Sequence, residues 1–469
     1  MLQRRRNVVV LVVGVAIVLL SWANLRAKIG SSDLDAYPQL KVFSDVLNLV
    51  EEHYVEPVDD KKLIYGAISG MLRELDPHSS FLKPDEYKEL QVETKGKFGG
   101  IGIEISMRDN VLTVVAPLEG TPADKAGIKP NDQIIKIDDV ITQDMSLMDA
   151  VQKMRGDKGT KVKLTILRKG ERKPLEFDLT REIITVRSVR SSALERGYGY
   201  VRISSFQSGT ASDLRKALDK LEKDNGPMKG LVLDLRNDPG GLLDQAVEVS
   251  DEFLDEGLIV YTGGRVESQQ MRYEATKNGK PHAYPLVVLV NSGSASASEI
   301  VAGALQDHRR ALVAGEATFG KGSVQTVIPL NDGSAIRLTT ALYYTPSGRS
   351  IQAKGIEPDV VFERQKPKEN GDSNGAEKDE PIQRLREKDL PRHMQNRGNG
   401  DDGENVEPDK LNIPKIDNVE PPAKPGGDEN APEDEDQSGF QRPSHNDAEV
   451  KQALDLLKNN QLMGQLKLH

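Results

Sequence analysis

The sequence predicts a multidomain α/β chain: a helical N-terminal region, a small β domain, an α/β layered core, a disordered acidic linker and a C-terminal helix. Three observations carry this reading. Between about residues 185 and 365, apolar runs such as Leu231–Leu235 alternate with segments of helical period such as Leu242–Leu254, the signature of helices layered on a sheet. From Gly99 the pattern turns to short strands punctuated by Gly and Pro. Beyond Glu363 the composition shifts to Pro, Gly, Asn, Asp, Glu and Lys, which cannot bury enough apolar surface to order itself. At 469 residues, 37% of them hydrophobic, the chain has the material for more than one core. It has no cysteine, so disulfides and thiolate metal sites play no part, and its net charge of −10 disfavours nucleic acid as a partner.

Taken in order, Arg4, Arg5 and Arg6 precede an apolar run, Val8–Ala23, interrupted by Gly14 and Ser21. This segment, 1–25, reads as a secretory signal or a short membrane anchor, with small residues at Ser21 and Ala23 favouring cleavage. Either way the chain is expected to be exported to the periplasm or the outer face of the inner membrane. Residues 35–95 read as helical. Phe43, Val46, Leu47 and Val50 form one apolar face and Ile64, Ile68, Met71, Leu72 and Leu75 another, each suited to packing on a core. Residues 96–184 form the β domain, with a helix at Ser146–Met154, and 185–365 the core. Residues 366–445 read as the linker. After it, Asp447–Met463 carries Val450, Leu454 and Leu457 on one helical face. That helix either folds back on the core or docks on another subunit or an adaptor, and the long tether favours docking.

The chemistry lies in Asn291–Gln325, NSGSASASEIVAGALQDHRRALVAGEATFGKGSVQ. An apolar strand-like run, Pro285–Val290, feeds a helix that the Ser296/Glu299 pair would cap, so Ser296 stands at a strand-to-helix turn beside free N–H groups. A plain N-cap is the competing role, and Ser292, Ser294, Ser298 and Ser323 are alternative nucleophiles that spacing does not separate. Lys321, between Gly320 and Gly322, is a base candidate if burial lowers its pKa from about 10.4 to roughly 7 or 8. GEATFGKG misses the phosphate-loop pattern because Gly322 stands where a hydroxyl is required. GSASAS lacks the G-x-S-x-G elbow, and His308 reads as a solvated side chain.

GSASASE and TFGKGSVQ, with LDPHSSFL at Leu75–Leu82 and LRNDPGG at Leu235–Gly241 in the same order, resemble the C-terminal-processing (tail-specific) serine peptidases. The resemblance implies a serine-type endopeptidase with Ser296 as nucleophile, Lys321 as base and Gln325 orienting the lysine. Four residues of extended strand span about 13 Å, so Gln325 reaches Lys321 only if the backbone turns between them. It further implies an oxyanion hole from Ala297 with Gly240 or Gly241. GGIGIEI, with TPADKAGIKPNDQIIKID behind it, looks like a PDZ domain, which makes Gly99, Gly100, Ile101, Gly102 and Ile103 the loop that receives a peptide carboxylate. No metal or organic cofactor is implied. Expected partners are proteins with accessible C-termini, a second copy of the chain, to whose pairing the resemblance implies that the N-terminal helices can contribute, and an adaptor protein. The contrasting reading is a catalytically silent PDZ-type adaptor, and the joint presence of Ser296, Lys321 and Gln325 weighs against it.

Overall fold

The computed structural model describes residues 37–277, 282–362, 385–396 and 447–466. The candidate signal segment and most of the acidic linker lie outside them. Contacts divide the chain into two units, one ending at Met71 and the other starting at Leu72.

The first unit holds α1 (Tyr37–His53) and most of α2 (Asp60–Arg73). The expectation that the α1 face packs on a core is not met. No α1 residue is buried, and Tyr37, Leu40, Phe43, Val46 and Leu49 stand exposed. The expected helical stretch to residue 95 is also interrupted, by β1 (Ser80–Leu82) before α3 (Pro84–Lys95). Asp76 causes the break: its carboxylate accepts the amides of His78 and Ser79, each at 2.8 Å, and the Ser79 hydroxyl at 2.7 Å, closing a turn that a helix cannot contain.

A small β domain follows. A two-stranded ribbon, β2 (Lys97–Gly100) with β9 (Glu182–Thr185), forms its neck. Between them come β3 (Ile103–Arg108), β4 (Val111–Pro117), α4 (Pro122–Lys125), β5 (Gln133–Ile137), β6 (Val140–Ile141), α5 (Leu147–Met154), β7 (Lys161–Leu167) and β8 (Leu175–Thr180). The sheet order is β3-β4-β5-β7-β8, so β3 is an edge strand. Ser146 caps α5 by accepting the Asp149 amide.

In the larger core, β10 (Val189–Glu195) and β11 (Tyr198–Ile203) precede α6 (Thr210–Asn225), β12 (Gly230–Asp234), α7 (Leu243–Asp251), β13 (Leu258–Gly264) and β14 (Arg272–Glu274). There follow β15 (Leu286–Val290), α8 (Ala297–Asp307), β16 (Leu312–Gly315), β17 (Ser323–Pro329), β18 (Ala335–Tyr344) and β19 (Val360–Val361). The main sheet runs β10-β11-β12-β15-β16-β19, parallel from β11 onward. Every residue of β12 (GLVLD) and β15 (LVVLV) is buried, as expected of parallel strands covered on both faces. Leu214, Val249, Ile300 and Val301 of α6, α7 and α8 fill one side. A second, antiparallel sheet, β1-β18-β13-β14 with β17 paired to β18, closes the core.

The other face of the main sheet is covered by α9 (Ala448–Lys458) and α10 (Asn460–Met463). Val450, Ala453, Leu456, Leu457, Leu462 and Met463 pack there against Tyr200, Val232, Val287 and Leu289. This corrects the expectation that the C-terminal helix docks elsewhere. The sheet needs a second cover, and the helix's apolar stripe supplies it. Arg236, just past β12, pairs with Asp447 at 2.8 Å and with Glu449, which fixes the start of α9. Leu457→Ala is therefore expected to destabilise the isolated chain by about 2–5 kcal/mol, the cost of a large-to-small change in a packed core. An unchanged denaturant midpoint would return the helix to a docking role.

A second correction concerns residues 385–396, which fall in the expected disordered linker. They form a packed strap whose Glu387 is fully buried. Its order comes from polar contacts to backbone and side chains, which composition does not register.

Candidate active site

Strand β15 ends at Val290 and the chain turns into α8 through Ser296, whose φ of 55° lies in the left-handed region that costs an L-residue energy. The capping pair forms only by half. Glu299 Oε2 accepts the Ser296 N–H at 2.8 Å, while the Ser296 hydroxyl makes no cap hydrogen bond. The plain N-cap role is thereby excluded. Two of the neighbouring serines are committed: Ser294 Oγ donates to the Leu235 carbonyl at 2.8 Å and Ser298 Oγ to that of Asp238 at 3.0 Å, while Ser292 Oγ is buried with no hydrogen-bond partner among the described residues. Ser323 Oγ accepts from Gln325 Nε2 at 2.9 Å. His308 Nε2 lies 2.7 Å from the Leu258 carbonyl, away from this turn.

Glu299 joins the serine turn to the lysine loop. Fully buried, its carboxylate also accepts Thr318 Oγ1 at 2.5 Å, the Gly320 N–H at 2.7 Å and the Lys321 N–H at 2.9 Å. The peptides of Ser296 and Lys321 thus share one carboxylate oxygen. Burial pushes the Glu299 carboxyl up to about 7, against the pull of these donors. Lys321 is lowered from the ordinary lysine value, by burial first and then by the Arg337 guanidinium, with Glu387, Glu299 and Asp76 opposing. No hydrogen bond joins Ser296 Oγ to Lys321 Nζ, a contact that can tighten when substrate excludes water. Gln325 does not contact Lys321 by hydrogen bond. A bulge between Val324 and Gln325 bends β17, and the amide of Gln325 is engaged with Ser323.

The NDPGG turn after β12 packs directly on the serine turn. A Cβ on Gly240 would lie 2.9 Å from both the Ala297 nitrogen and Ser296 Cβ, so only glycine fits. The Gly240 N–H is committed to Asp238 Oδ1 at 2.8 Å, whereas the Gly241 and Ala297 N–H groups have no partner among the described residues. Of the two glycines left open by the sequence, Gly241 carries the free donor. Burial pushes the Asp238 carboxyl up to about 8, against the pull of the Gly240 N–H.

In the β domain, Gly102 has φ 73° and a Cβ there would meet Thr121 Cβ at 2.3 Å. Its carbonyl accepts Leu118 N at 2.9 Å and Thr121 Oγ1 at 3.0 Å, while the Ile101 and Gly102 amides have no partner among the described residues. Gly99 and Gly100 belong to β2, and Ile103 opens the β3 edge.

A peptidase family S41 model matches residues 197–362, a PDZ domain model residues 99–179, and a model of the activating protease CtpB N-terminal domain residues 23–85. A carboxy-terminal-processing protease of Bartonella bacilliformis is 49% identical over 339 residues, covering 72% of this chain and 78% of its own. The chain belongs to peptidase family S41. Within that family it is also similar to a carboxyl-terminal-processing protease of Synechocystis, 44% identical over 67% of this chain and 75% of that one. Carboxy-terminal processing protease CtpA of Bacillus subtilis is 40% identical over 67% of each. The S41 chain is a serine-type peptidase with a PDZ domain. Spacing in the sequence marks Glu299 only as a cap and does not single out Thr318, since no spacing rule links residues brought together from separate loops.

Proposed function

We propose that this peptidase is an exported endopeptidase that captures protein C-termini on its PDZ domain and cleaves peptide bonds with a Ser296/Lys321 pair. The observation that carries it is the Glu299 carboxylate binding the backbone of both residues, with two free N–H groups beside the serine. In the first step neutral Lys321 Nζ takes the Ser296 Oγ proton as that oxygen bonds to the scissile carbonyl carbon. The oxyanion forms between the Ala297 and Gly241 N–H groups, backed by the α8 dipole. Collapse breaks the C–N bond, and the lysine ammonium returns its proton to the leaving amine. Water then attacks the acyl-enzyme carbonyl, Lys321 taking its proton, and as the ester C–O bond breaks the lysine ammonium returns that proton to Ser296 Oγ. Gln325 orients the lysine in the working site, which requires its amide to leave Ser323 Oγ.

An acylating probe should label Ser296 in the full-length protein, whereas a silent adaptor would remain unlabelled. Cleavage should rise with pH as Lys321 loses its proton at a pKa below the ordinary lysine range. A rate flat from about pH 5 to about pH 9 would argue against a lysine base.

Tail capture uses the free Ile101 and Gly102 amides for the carboxylate and the β3 edge for an added peptide strand beside α5. Gly102→Val is expected to weaken cleavage of substrates with a free apolar C-terminus, because its side chain meets Thr121. Amidating the substrate should mimic that loss in the unaltered enzyme, and an identical rate for the amidated substrate would refute tail capture. Assembly with a second copy is assigned to the exposed apolar face of α1. Export rests on Arg4–Arg6 and the apolar run behind them.

A further inference from the structure

We infer that Glu387, carried on the strap of residues 385–396, is a positioning residue for the Lys321 loop, an inference that rests on the Ser296/Lys321 reading. The strap crosses that loop. The Glu387 N–H donates to the Phe319 carbonyl at 3.1 Å, and Arg386 Nη2 donates to the carbonyls of Thr318 and Lys354, each at 2.9 Å. The fully buried Glu387 carboxylate joins two further elements. His78 Nε2, from the Asp76 turn, lies 2.8 Å from Oε2, and Gln352 Nε2 donates to Oε1 at 2.9 Å.

Gln352 passes the hold to the lysine loop. Its Oε1 accepts the Gly322 N–H at 3.0 Å, the peptide immediately after Lys321. Its own position is fixed from the strap on both sides, by Nε2 donating to the Met394 carbonyl at 3.1 Å and by Asn396 Nδ2 donating to its carbonyl at 3.0 Å. A Cβ on Gly322 would meet the Gln352 nitrogen at 2.3 Å, so the two loops touch backbone to backbone. Lys321 is therefore gripped twice: through its own N–H by Glu299, and through the next N–H by Gln352 with Glu387 behind it.

Glu387 also acts on the lysine's charge. The groups whose fields reach Lys321 are Arg337 on β18, Glu387 on the strap, Glu299 on α8 and Asp76 in the turn before β1. Of the three carboxylates, Glu387 most favours the ammonium form. The strap thus holds the base in place while keeping its pKa from falling further.

The test compares Glu387→Ala, Glu387→Gln and Lys321→Ala in the full-length protein, using a fluorogenic casein across pH. Glu387→Ala should lower kcat by about 10²-fold with KM little changed, because the base is no longer held in reach. Glu387→Gln keeps the shape, with its amide able to accept from Gln352 and donate to His78. It should retain most of kcat at alkaline pH and move the acid limb of the profile down by about 0.5–1 unit, since a neighbouring negative charge is gone. If Lys321→Ala is inactive while both Glu387 variants keep the unaltered kcat and acid limb, the positioning role is overturned and the strap is structural only. Activity that survives Lys321→Ala would overturn the Ser/Lys reading, and this inference with it.

Discussion

Ser296→Ala and Lys321→Ala are each expected to reduce cleavage by about 10⁴-fold or more, and the double variant to be no worse than either single one, because the two residues act as one unit. Neither change should unfold the protein. Alanine meets the same left-handed strain at position 296 that serine does, and the Ser296 hydroxyl caps nothing. At position 321 the change removes a cation that burial disfavours, so it leaves no orphaned partner for the side chain. Thermal denaturation checks the fold, probe labelling checks the serine, and casein turnover checks the reaction. Normal turnover by either purified variant would refute the assignment. A Lys321→Ala protein that still labels at the original rate would show that the lysine does not activate the serine.

How much of this was legible in the sequence differs from element to element. The parallel strands were, because they are covered on both faces: β15 reads as an unbroken apolar run and β12 as one that ends at Asp234. The serine turn was too, because the Ser296/Glu299 spacing marks a helix start. What the spacing hid was direction. Glu299 caps the turn, Ser296 does not, and the remaining capacity of the carboxylate goes to Thr318, Gly320 and Lys321, about twenty residues on. The choice between Gly240 and Gly241 was also invisible, since it depends on which N–H the Asp238 side chain takes. The strap failed for a different reason. Composition weighs apolar content, and residues 385–396 are held by Glu387, Arg386 and Asn396 through hydrogen bonds to separate loops. The C-terminal helix was read correctly as amphipathic, but its tether says nothing of which surface lacks a cover; that is set by the sheet face bearing Tyr200, Val232 and Val287.

Glu299 should be the next most sensitive position after the proposed Ser296/Lys321 pair, although it never touches substrate in the proposed mechanism. Its two oxygens take one pair of donors each: Thr318 Oγ1 and Gly320 N on one, Ser296 N and Lys321 N on the other. In Glu299→Gln the better amide orientation keeps its oxygen on the Ser296 and Lys321 peptides and lets Thr318 accept from the new NH₂. The Gly320 N–H is then orphaned in a buried site, at a cost of about 1–3 kcal/mol. Expressed in the loop that carries the base, that cost predicts a fall in kcat of about tenfold to 10²-fold, while Glu299→Ala, which strands every donor, should lose about 10³-fold. The stability of the Gln variant carries a pH signature of fixed sign. Glu299 is raised in the folded state from 4.5 to about 7, so its contribution is fully present below 4.5 and is lost as pH rises through about 7. Glutamine does not titrate. The Tm advantage of the unaltered protein over Glu299→Gln should therefore be largest in acid and shrink towards pH 8, and an advantage that instead grew with pH would mean that the buried carboxylate is favoured as an anion, tied to the lysine loop by charge rather than by its hydrogen bonds.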